Sequence, residues 1–197
     1  MDSMPCKRSS TRYNVTKYYH PPMDEFFIRI YTDQIKDQIA EAEKAYSLIS
    51  SAPTDHDLVF SAIHHFIIHV SNVVKLLQPN IKDDNDFRKF RSLSIRKAYP
   101  TIPDLNPKDI GIRNDFEHFD ERIDYWVINS KSHNYMDKSI GNIGLGQAVA
   151  GIDSKDSFRW FNFQEMTLSF CGKNYDLKSL FDYIGSVKSV LTSTSIL

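Results

Sequence analysis

The sequence predicts a mainly α-helical fold, an antiparallel bundle of about five helices with a small β-hairpin before the last. Three observations predict it. Apolar residues recur at helical spacing over residues 24–51, a nearly continuous apolar helix follows between two prolines, and two alternating strand-like runs stand close to the C-terminus. Short connections between successive elements favour antiparallel neighbours.

The first two helices have the clearest patterns. Residues 24–51 carry one amphipathic stripe that includes Ile35 and Ile39, which predicts a long first helix. The second helix is expected between Thr54, an N-cap residue type, and Pro79. Its apolar residues nearly encircle the helix axis, so we expect it at the centre of the bundle.

The remaining elements are shorter. Residues 84–98 predict a basic helix, and a fourth helix is expected to begin near Asn106–Pro107 and to include residues 111–127. Residues 130–157 lose helical periodicity, and "SFRWFNFQEMTLSFCGKNYDL" predicts a hairpin that turns at Gln164–Glu165. The segment "LKSLFDYIGSVKSVL" then returns to helical spacing and predicts the last helix.

Length and composition predict one domain. We expect a flexible basic arm over residues 1–22 and a single domain over residues 23–197, with a loop and hairpin insertion at about residues 130–175. The net charge of −1 excludes a globally basic nucleic-acid binder, so any polyanion site must be local. Cys6 and Cys171 have no metal-ligand spacing and form no disulfide framework. With neither a signal-peptide core nor an apolar run of about 20 residues, the sequence favours a cytoplasmic protein without a membrane span.

The segment "GIRNDFEHFDERIDYWV", residues 111–127, carries the functional prediction. On a helix, one narrow apolar stripe is expected to enter the core: Ile112, Phe116, Phe119, Ile123 and Val127. The side away from that stripe carries five polar side chains that can converge on a surface site: Arg113, Asn114, Glu117, His118 and Glu121.

Three of these side chains have the chemistry for metal-free cleavage of RNA. Arg113 offers a permanent positive fork for a phosphate, and a histidine such as His118 gives or takes a proton near neutral pH. Asn114 can orient the imidazole or a ribose hydroxyl, and Glu117 and Glu121 are candidate supporting residues. Activation of a 2′-OH and stabilisation of the phosphate charge require no cofactor here. A solvated helix face with one-turn neighbours is the simpler interpretation of the same residues.

The motif "RNDFEH", Arg113 to His118, resembles that of the HEPN superfamily, in which an Arg followed by a polar residue, and then a His, lie on a late helix of an α-bundle. The resemblance covers residues 24–128 in architecture, and only the six motif residues are specific. It implies an HEPN-like fold and a homodimer in which two motif helices face one another across a cleft. It also implies a metal-independent endoribonuclease of the kind found in toxin–antitoxin, phage-defence and RNA-processing systems.

In that resemblance Arg113 contacts the phosphate, His118 is the general acid or base, and Asn114 supports them. RNA is the implied substrate, and an antitoxin or regulatory protein is an implied partner. The subset paired with minimal nucleotidyltransferase antitoxins adds a Tyr two residues after the His, where this chain has Asp120, so that partnership is disfavoured. The alternatives are a non-catalytic HEPN-like module that binds RNA, a nucleotide or a protein, and a purely structural helical dimer.

Three other motifs carry weaker predictions. A basic run is expected either to line a path for RNA phosphates or to form a solvated face: Arg88, Lys89, Arg91, Arg96 and Lys97. His65 and His69 lie one helical turn apart, but no acidic residue follows His65 as in zinc proteases, so packing is favoured over a metal site. The segment "GNIGLG", residues 141–146, lacks dinucleotide-binding spacing and predicts a mobile loop, with a flap over the cleft as the alternative.

Overall fold

The computed structural model describes residues 23–51, 54–81, 86–106, 109, 111–143 and 153–193. The predicted N-terminal arm and the second half of the "GNIGLG" segment, residues 144–146, lie outside the described residues. The described elements are six α-helices, a short 3-10 helix and four strands: α1 Glu25–Ser51, α2 His56–Leu77, α3 Phe87–Ala98, α4 Gly111–Glu117, α5 Phe119–Asn129, β1 Ser139–Gly141, the 3-10 helix Ser154–Asp156, β2 Arg159–Asn162, β3 Thr167–Phe170, β4 Lys173–Asp176 and α6 Leu177–Ser193.

The helices α1 and α2 form an antiparallel hairpin. Near its closed end, Tyr46 packs on Phe66 with ring centroids 5.3 Å apart. Further along, the Gln38 side-chain oxygen accepts a hydrogen bond from Asn72 at 2.9 Å. The cap of α2 is Asp55, whose carboxylate accepts from the backbone N–H of Leu58 at 3.0 Å, and not Thr54 as the sequence predicted.

The helix α2 is the core helix of the fold. Eleven of its residues are buried, including Ile63 and Phe66, which have no exposed surface. By length and composition α2 would also pass for a membrane span, with a mean hydropathy of 1.3. This corrects the expectation that no apolar run approaches that length. More than half of that apolar window is buried inside the fold, at 56%, as in the central helix of a bundle.

Two further helices pack on this hairpin. The helix α3 covers the C-terminal end of α2, where Ser92 Oγ donates a hydrogen bond to the Leu77 carbonyl at 2.5 Å. The helix α6 runs antiparallel to α1. Tyr46 of α1 stacks on Phe181 with ring centroids 4.0 Å apart, and Lys188 Nζ lies 2.8 Å from the Glu43 carboxylate.

The fourth predicted helix is divided into α4 and α5 by a bend at His118, where φ is −108° and ψ is 37°. Backbone hydrogen bonds continue across the bend, since Arg122 N–H still reaches the His118 carbonyl at 3.2 Å. The predicted apolar stripe is correct for Ile112, which is 1% exposed, and wrong for Val127, which is 53% exposed. The helix α5 lies at the surface, and none of its residues is fully buried.

The predicted hairpin is confirmed and is part of a larger sheet. Strands β2 and β3 are antiparallel and joined through residues 163–166. Strand β1 pairs with β2 in parallel, and β4 pairs with β3 across a two-residue turn. Both turn residues, Cys171 and Gly172, have positive φ, at 46° and 81°. The mainly helical fold with a small sheet before the last helix is therefore confirmed, with six described helices in place of about five.

Candidate functional site

Arg113 lies on α4 and faces the C-terminal end of α2. Its guanidinium Nη2 is 2.5 Å from the carboxylate of Glu117, one turn later on the same helix. Arg113 is mostly covered, with 23% of its side chain exposed, whereas Glu117 is half exposed. Both residues and Asn114 line a cleft of about 570 Å³ between α4 and the end of α2. We call this the Arg113 cleft.

His118 occupies the bend between α4 and α5. It stands at the N-cap position of α5 but makes no side-chain capping hydrogen bond, so its ring is available for other contacts. The ring nitrogen Nδ1 lies 3.0 Å from the Glu121 carboxylate, and 45% of the side chain is exposed. A carboxylate on one ring nitrogen fixes the tautomer and the orientation of an imidazole. Among the described residues, the other nitrogen, Nε2, has no hydrogen-bond partner.

The predicted site residues thus form two groups within one chain. Arg113, Asn114 and Glu117 share the Arg113 cleft, whereas His118 and Glu121 form a separate pair beyond the bend and do not line that cleft. The bend at His118 separates the groups, because the side chains no longer follow one straight helix axis.

The His118–Glu121 pair continues into an apolar surface stripe on α5. Residues 118, 121, 125 and 128 are spaced by three and four, so their side chains lie on one helix face. Tyr125 is 60% exposed and Ile128 is 79% exposed. No described residue covers the part of the stripe formed by Tyr125 and Ile128.

A buried carboxylate, Asp115, lies at the centre of the motif and was missed by the sequence analysis. It is 3% exposed and accepts hydrogen bonds from the Tyr175 hydroxyl, from Lys173 Nζ at 3.0 Å and from Arg122 Nη2 at 2.7 Å. Burial alone would raise the pKa of Asp115, but the hydrogen bonds from Tyr175 and Lys173 outweigh it, and the pKa lies below its ordinary value. The sequence did contain a signal for the burial of Asp115. Asp115 lies three residues after Ile112, and residues at that spacing share one face of a helix, here the buried face.

The hydrogen bond between Tyr175 and Asp115 shifts the pKa of Tyr175 in the opposite direction. Burial of the phenol, and then its hydrogen bond to Asp115, raise the pKa of Tyr175 above its ordinary value. The phenol therefore stays protonated and remains a donor to the carboxylate. The network joins α4, α5 and β4.

A second buried carboxylate, Asp156, anchors α5 one turn further along, on the side that also carries Arg122. It accepts hydrogen bonds from Ser132 Oγ, from Ser130 Oγ at 2.8 Å and from Trp126 Nε1 at 2.8 Å. The hydrogen bond from Ser132 is the main reason why the pKa of Asp156 is lowered. Both carboxylates line a pocket of about 460 Å³ that also contains Cys171, where burial raises the pKa of the thiol to about 11.

The three arginines among the five predicted RNA-binding cations contact neighbouring protein atoms. Arg88 forms a two-pronged ion pair with Asp86. Arg91 Nη2 donates to the Lys75 carbonyl at 2.9 Å, and Arg96 Nε donates to the Leu77 carbonyl at 3.3 Å, so both guanidinium groups satisfy the end of α2. The other two are lysines on the same helix, Lys89, which is partly buried, and Lys97, which is exposed.

Two histidines of α2, His64 and His69, contact neighbouring side chains, whereas His65 is exposed and the packing predicted for it is wrong. His69 Nδ1 hydrogen-bonds Gln38 at 2.9 Å, and the His64 ring lies 5.4 Å from that of Phe116. Burial lowers the pKa of both His64 and His69. Within the described ranges, no three His, Cys, Asp or Glu side chains converge as metal ligands would.

No family model, curated protein or solved structure matches the chain.

Proposed function

We propose that the protein is a metal-independent endoribonuclease of HEPN type that acts as a homodimer in the cytoplasm. The observation that carries the proposal is the His118–Glu121 pair. The imidazole is half exposed, one of its nitrogens is held by a carboxylate, and no described residue blocks the other. This is the arrangement of a general base held in one tautomer.

The proposed reaction uses the 2′-hydroxyl of the RNA as nucleophile. Nε2 of a neutral His118 takes the 2′-OH proton, and the 2′-oxygen attacks the phosphorus as the bond to the 5′-oxygen breaks. The protonated His118 of the second copy gives its proton to the leaving 5′-oxygen. The products are a 2′,3′-cyclic phosphate and a 5′-hydroxyl. The phosphate replaces Glu117 as the partner of the Arg113 guanidinium, and Asn114 supports the ribose.

The surface of α5 supports a dimer in which the two motif helices face one another. Tyr125 and Ile128 are exposed apolar side chains on the same helix face as His118. A second copy packed on them would lie beside the His118–Glu121 pair. In such a dimer both His118 side chains and both Arg113 clefts face one shared cleft between the copies. One phosphate can then meet a base from one copy and an acid from the other. Exposed apolar surface of this kind is typical of interfaces.

Cleavage of cellular RNA by such a dimer suits a toxin or phage-defence effector. The exposed site would then need control by an antitoxin or regulatory protein. The presence of Asp120 two residues after His118 continues to disfavour a nucleotidyltransferase that modifies a tyrosine there.

The second candidate is a non-catalytic HEPN-like module that binds RNA, a nucleotide or a protein. The observation that favours it is the ion pair between Arg113 and Glu117, in which a carboxylate occupies part of the guanidinium that would bind the scissile phosphate. His118 also lies outside the Arg113 cleft of its own chain. A binding module tolerates both features.

Cleavage of a mixed RNA pool in EDTA tests the proposal. The wild type should cleave, and His118→Ala should lose at least about 100-fold in rate, the usual contribution of a general acid or base. Arg113→Ala should also lose at least about 100-fold, the usual contribution of a group that stabilises charge in the transition state. Products should carry 2′,3′-cyclic phosphate ends. Circular dichroism and a mass measurement would confirm that the variants keep their fold and oligomeric state.

Two matched variants serve as controls. His65→Ala removes an exposed histidine of α2, and Arg29→Ala removes an exposed arginine of α1, so both should cleave like the wild type. Full activity in His118→Ala would contradict the proposal. If the wild type binds RNA but does not cleave it, the binding module is the better description.

A further inference from the structure

A second cleft lies on the other side of the end of α2, between α1, α2 and α3. It has a volume of about 580 Å³ and is lined by three cationic side chains, Lys75, Arg88 and Arg91. Tyr31 of α1 also lines it, together with four amide side chains: Gln34, Gln38, Asn72 and Asn80. No carboxylate is among the described residues that line this cleft.

This second cleft meets the Arg113 cleft. Lys75, Pro79 and Asn80 line both of them, so the two clefts are continuous around the C-terminal end of α2. We call the combined surface the α2 trough. It runs from Arg88 on α3 to Arg113 on α4.

The α2 trough is positive although the chain has a net charge of −1. Its cations are Lys75, Arg88, Arg91 and Arg113, and Glu117 is the one carboxylate among its described lining residues. Glu117 pairs with Arg113, and Asp86 pairs with Arg88, so the excess positive charge lies at Lys75 and Arg91. Lys75 is exposed and has no described carboxylate within 4.0 Å, so it is available to an external anion.

Arg91 places a second positive charge beside Lys75. Its Nη2 donates to the Lys75 carbonyl at 2.9 Å, its side chain hydrogen-bonds Tyr31, and its guanidinium lies 5.4 Å from the centroid of the Tyr31 ring. These contacts hold the guanidinium in place at the wall of the cleft. Because a guanidinium is always charged, it attracts an anion bound at Lys75.

We infer that the α2 trough binds single-stranded RNA, with backbone phosphates on Lys75 and Arg91 and a base against Tyr31. The nucleotides held there flank the phosphate bound at Arg113, so the inference rests on the proposed function for that end of the trough. Amide side chains and an aromatic ring recognise base edges and base faces, which only an unpaired strand presents freely. The substrate class is therefore an RNA loop or unpaired strand.

Binding of a labelled single-stranded RNA of about 12 nucleotides, measured by fluorescence anisotropy, tests the inference. All proteins carry His118→Ala, so that cleavage does not interfere. Adding Lys75→Gln should weaken binding about threefold to tenfold and lower the slope of log affinity against log salt by about 0.7, the value for one phosphate contact on a single strand. Adding Tyr31→Leu should weaken binding about tenfold through lost stacking, with little change in the salt slope.

Lys44→Gln is the matched control. It removes the same charge from an exposed position on α1 that lies outside the trough, and should bind RNA like the His118→Ala parent. A duplex of the same sequence should bind more weakly than the single strand and should not respond to Tyr31→Leu.

Equal RNA affinity in Lys75→Gln, Tyr31→Leu and Lys44→Gln would overturn the inference, as would preference for the duplex. Failure of the proposed function has a different signature. In that case the wild type shows no cleavage, while the single strand still binds and still responds to Lys75→Gln and Tyr31→Leu. Cleavage that depends on His118 but not on Lys75 or Tyr31 would support the nuclease and reject the trough.

Discussion

Asp115 holds together three elements through one carboxylate. Its partners lie on α5, at Arg122, and on β4, at Lys173 and Tyr175. A buried carboxylate loses its hydration, and only several well-placed donors compensate for that loss. Asp115 has three donors and therefore fixes α4 against the sheet and α5 against α4, directly before the bend at His118.

Asp115→Asn should destabilise the fold by about 3 kcal/mol at neutral pH, because it leaves Arg122 and Lys173 without their counter-charge. The pKa of Asp115 is lower in the folded state than its ordinary value, so its stabilisation is complete above about pH 4 and is lost as the pH falls through the folded pKa. The difference in the free energy of unfolding between wild type and variant should therefore be smaller at about pH 3 than at about pH 7. Urea denaturation at the two pH values measures it.

Asp33→Asn is the control for this prediction. Asp33 is about half exposed and pairs with Arg29 and Lys36 of its own helix, so its loss should change the free energy of unfolding by less than about 0.5 kcal/mol. An Asp115→Asn variant as stable as wild type at neutral pH would mean that the network carries no net stabilisation.

The residue scale shows what a helical pattern predicts well and what it misses. The pattern predicted that Arg113, Asn114 and Glu117 share a surface, and they line one cleft. It could not predict the partners of Asp115, because Lys173 is 58 residues away along the chain and Tyr175 is 60. Such pairing depends on where the sheet docks, which local periodicity does not contain.

At the scale of elements, the parallel edge of the sheet depends on one glycine. A Cβ atom at Gly141 would lie 2.4 Å from Cζ2 of Trp160, which is 6% exposed. The indole also donates a hydrogen bond to the Ile143 carbonyl at 3.2 Å, so the ring has little freedom to move away. Strand β1 therefore requires a residue without a side chain at its end.

Gly141→Ala should lower the free energy of unfolding by about 1–3 kcal/mol, the usual cost of overpacking. Gly185→Ala is the matched control, because Gly185 lies in α6 with nothing within 4 Å of the added methyl group. That variant should instead stabilise the protein by about 0.5–1 kcal/mol through helix propensity. Denaturant unfolding of both variants measures the contrast, and equal stabilities would contradict it.

The elements that the sequence failed to predict have local or tertiary causes. The turn into β4 has positive φ at both positions, but its residues are Cys171 and Gly172 in place of the usual Asn-Gly signal. The bend at His118 lacks a proline or glycine, so nothing in the helical pattern marks it. Tertiary contacts account for the bend. Before it, Phe116 packs on Phe170, and after it, Trp126 donates a hydrogen bond to Asp156.

At the scale of the whole molecule, the proposed dimer makes a prediction about α5. Ile128→Lys places a charge in the centre of the proposed interface and should weaken dimerisation at least about tenfold. Because Ile128 is 79% exposed in the single chain, the variant should keep the stability of the subunit. Analytical ultracentrifugation over a range of concentrations measures the change.

Leu48→Lys is the control for that experiment. Leu48 is 44% exposed on α1, away from α5, and its substitution should leave the association unchanged. A dimer that persists in Ile128→Lys would place the interface on another surface. Loss of RNA cleavage together with loss of the dimer would support a site completed by two copies.

The position of α6 has a consequence for synthesis. It begins directly after β4, at Leu177, and packs along α1, although more than 120 residues separate the two helices in the sequence. The ribosome therefore makes α1 long before α6, and the apolar surface of α1 that α6 covers stays exposed until α6 has been synthesised. Until then that surface is open to wrong contacts with other chains.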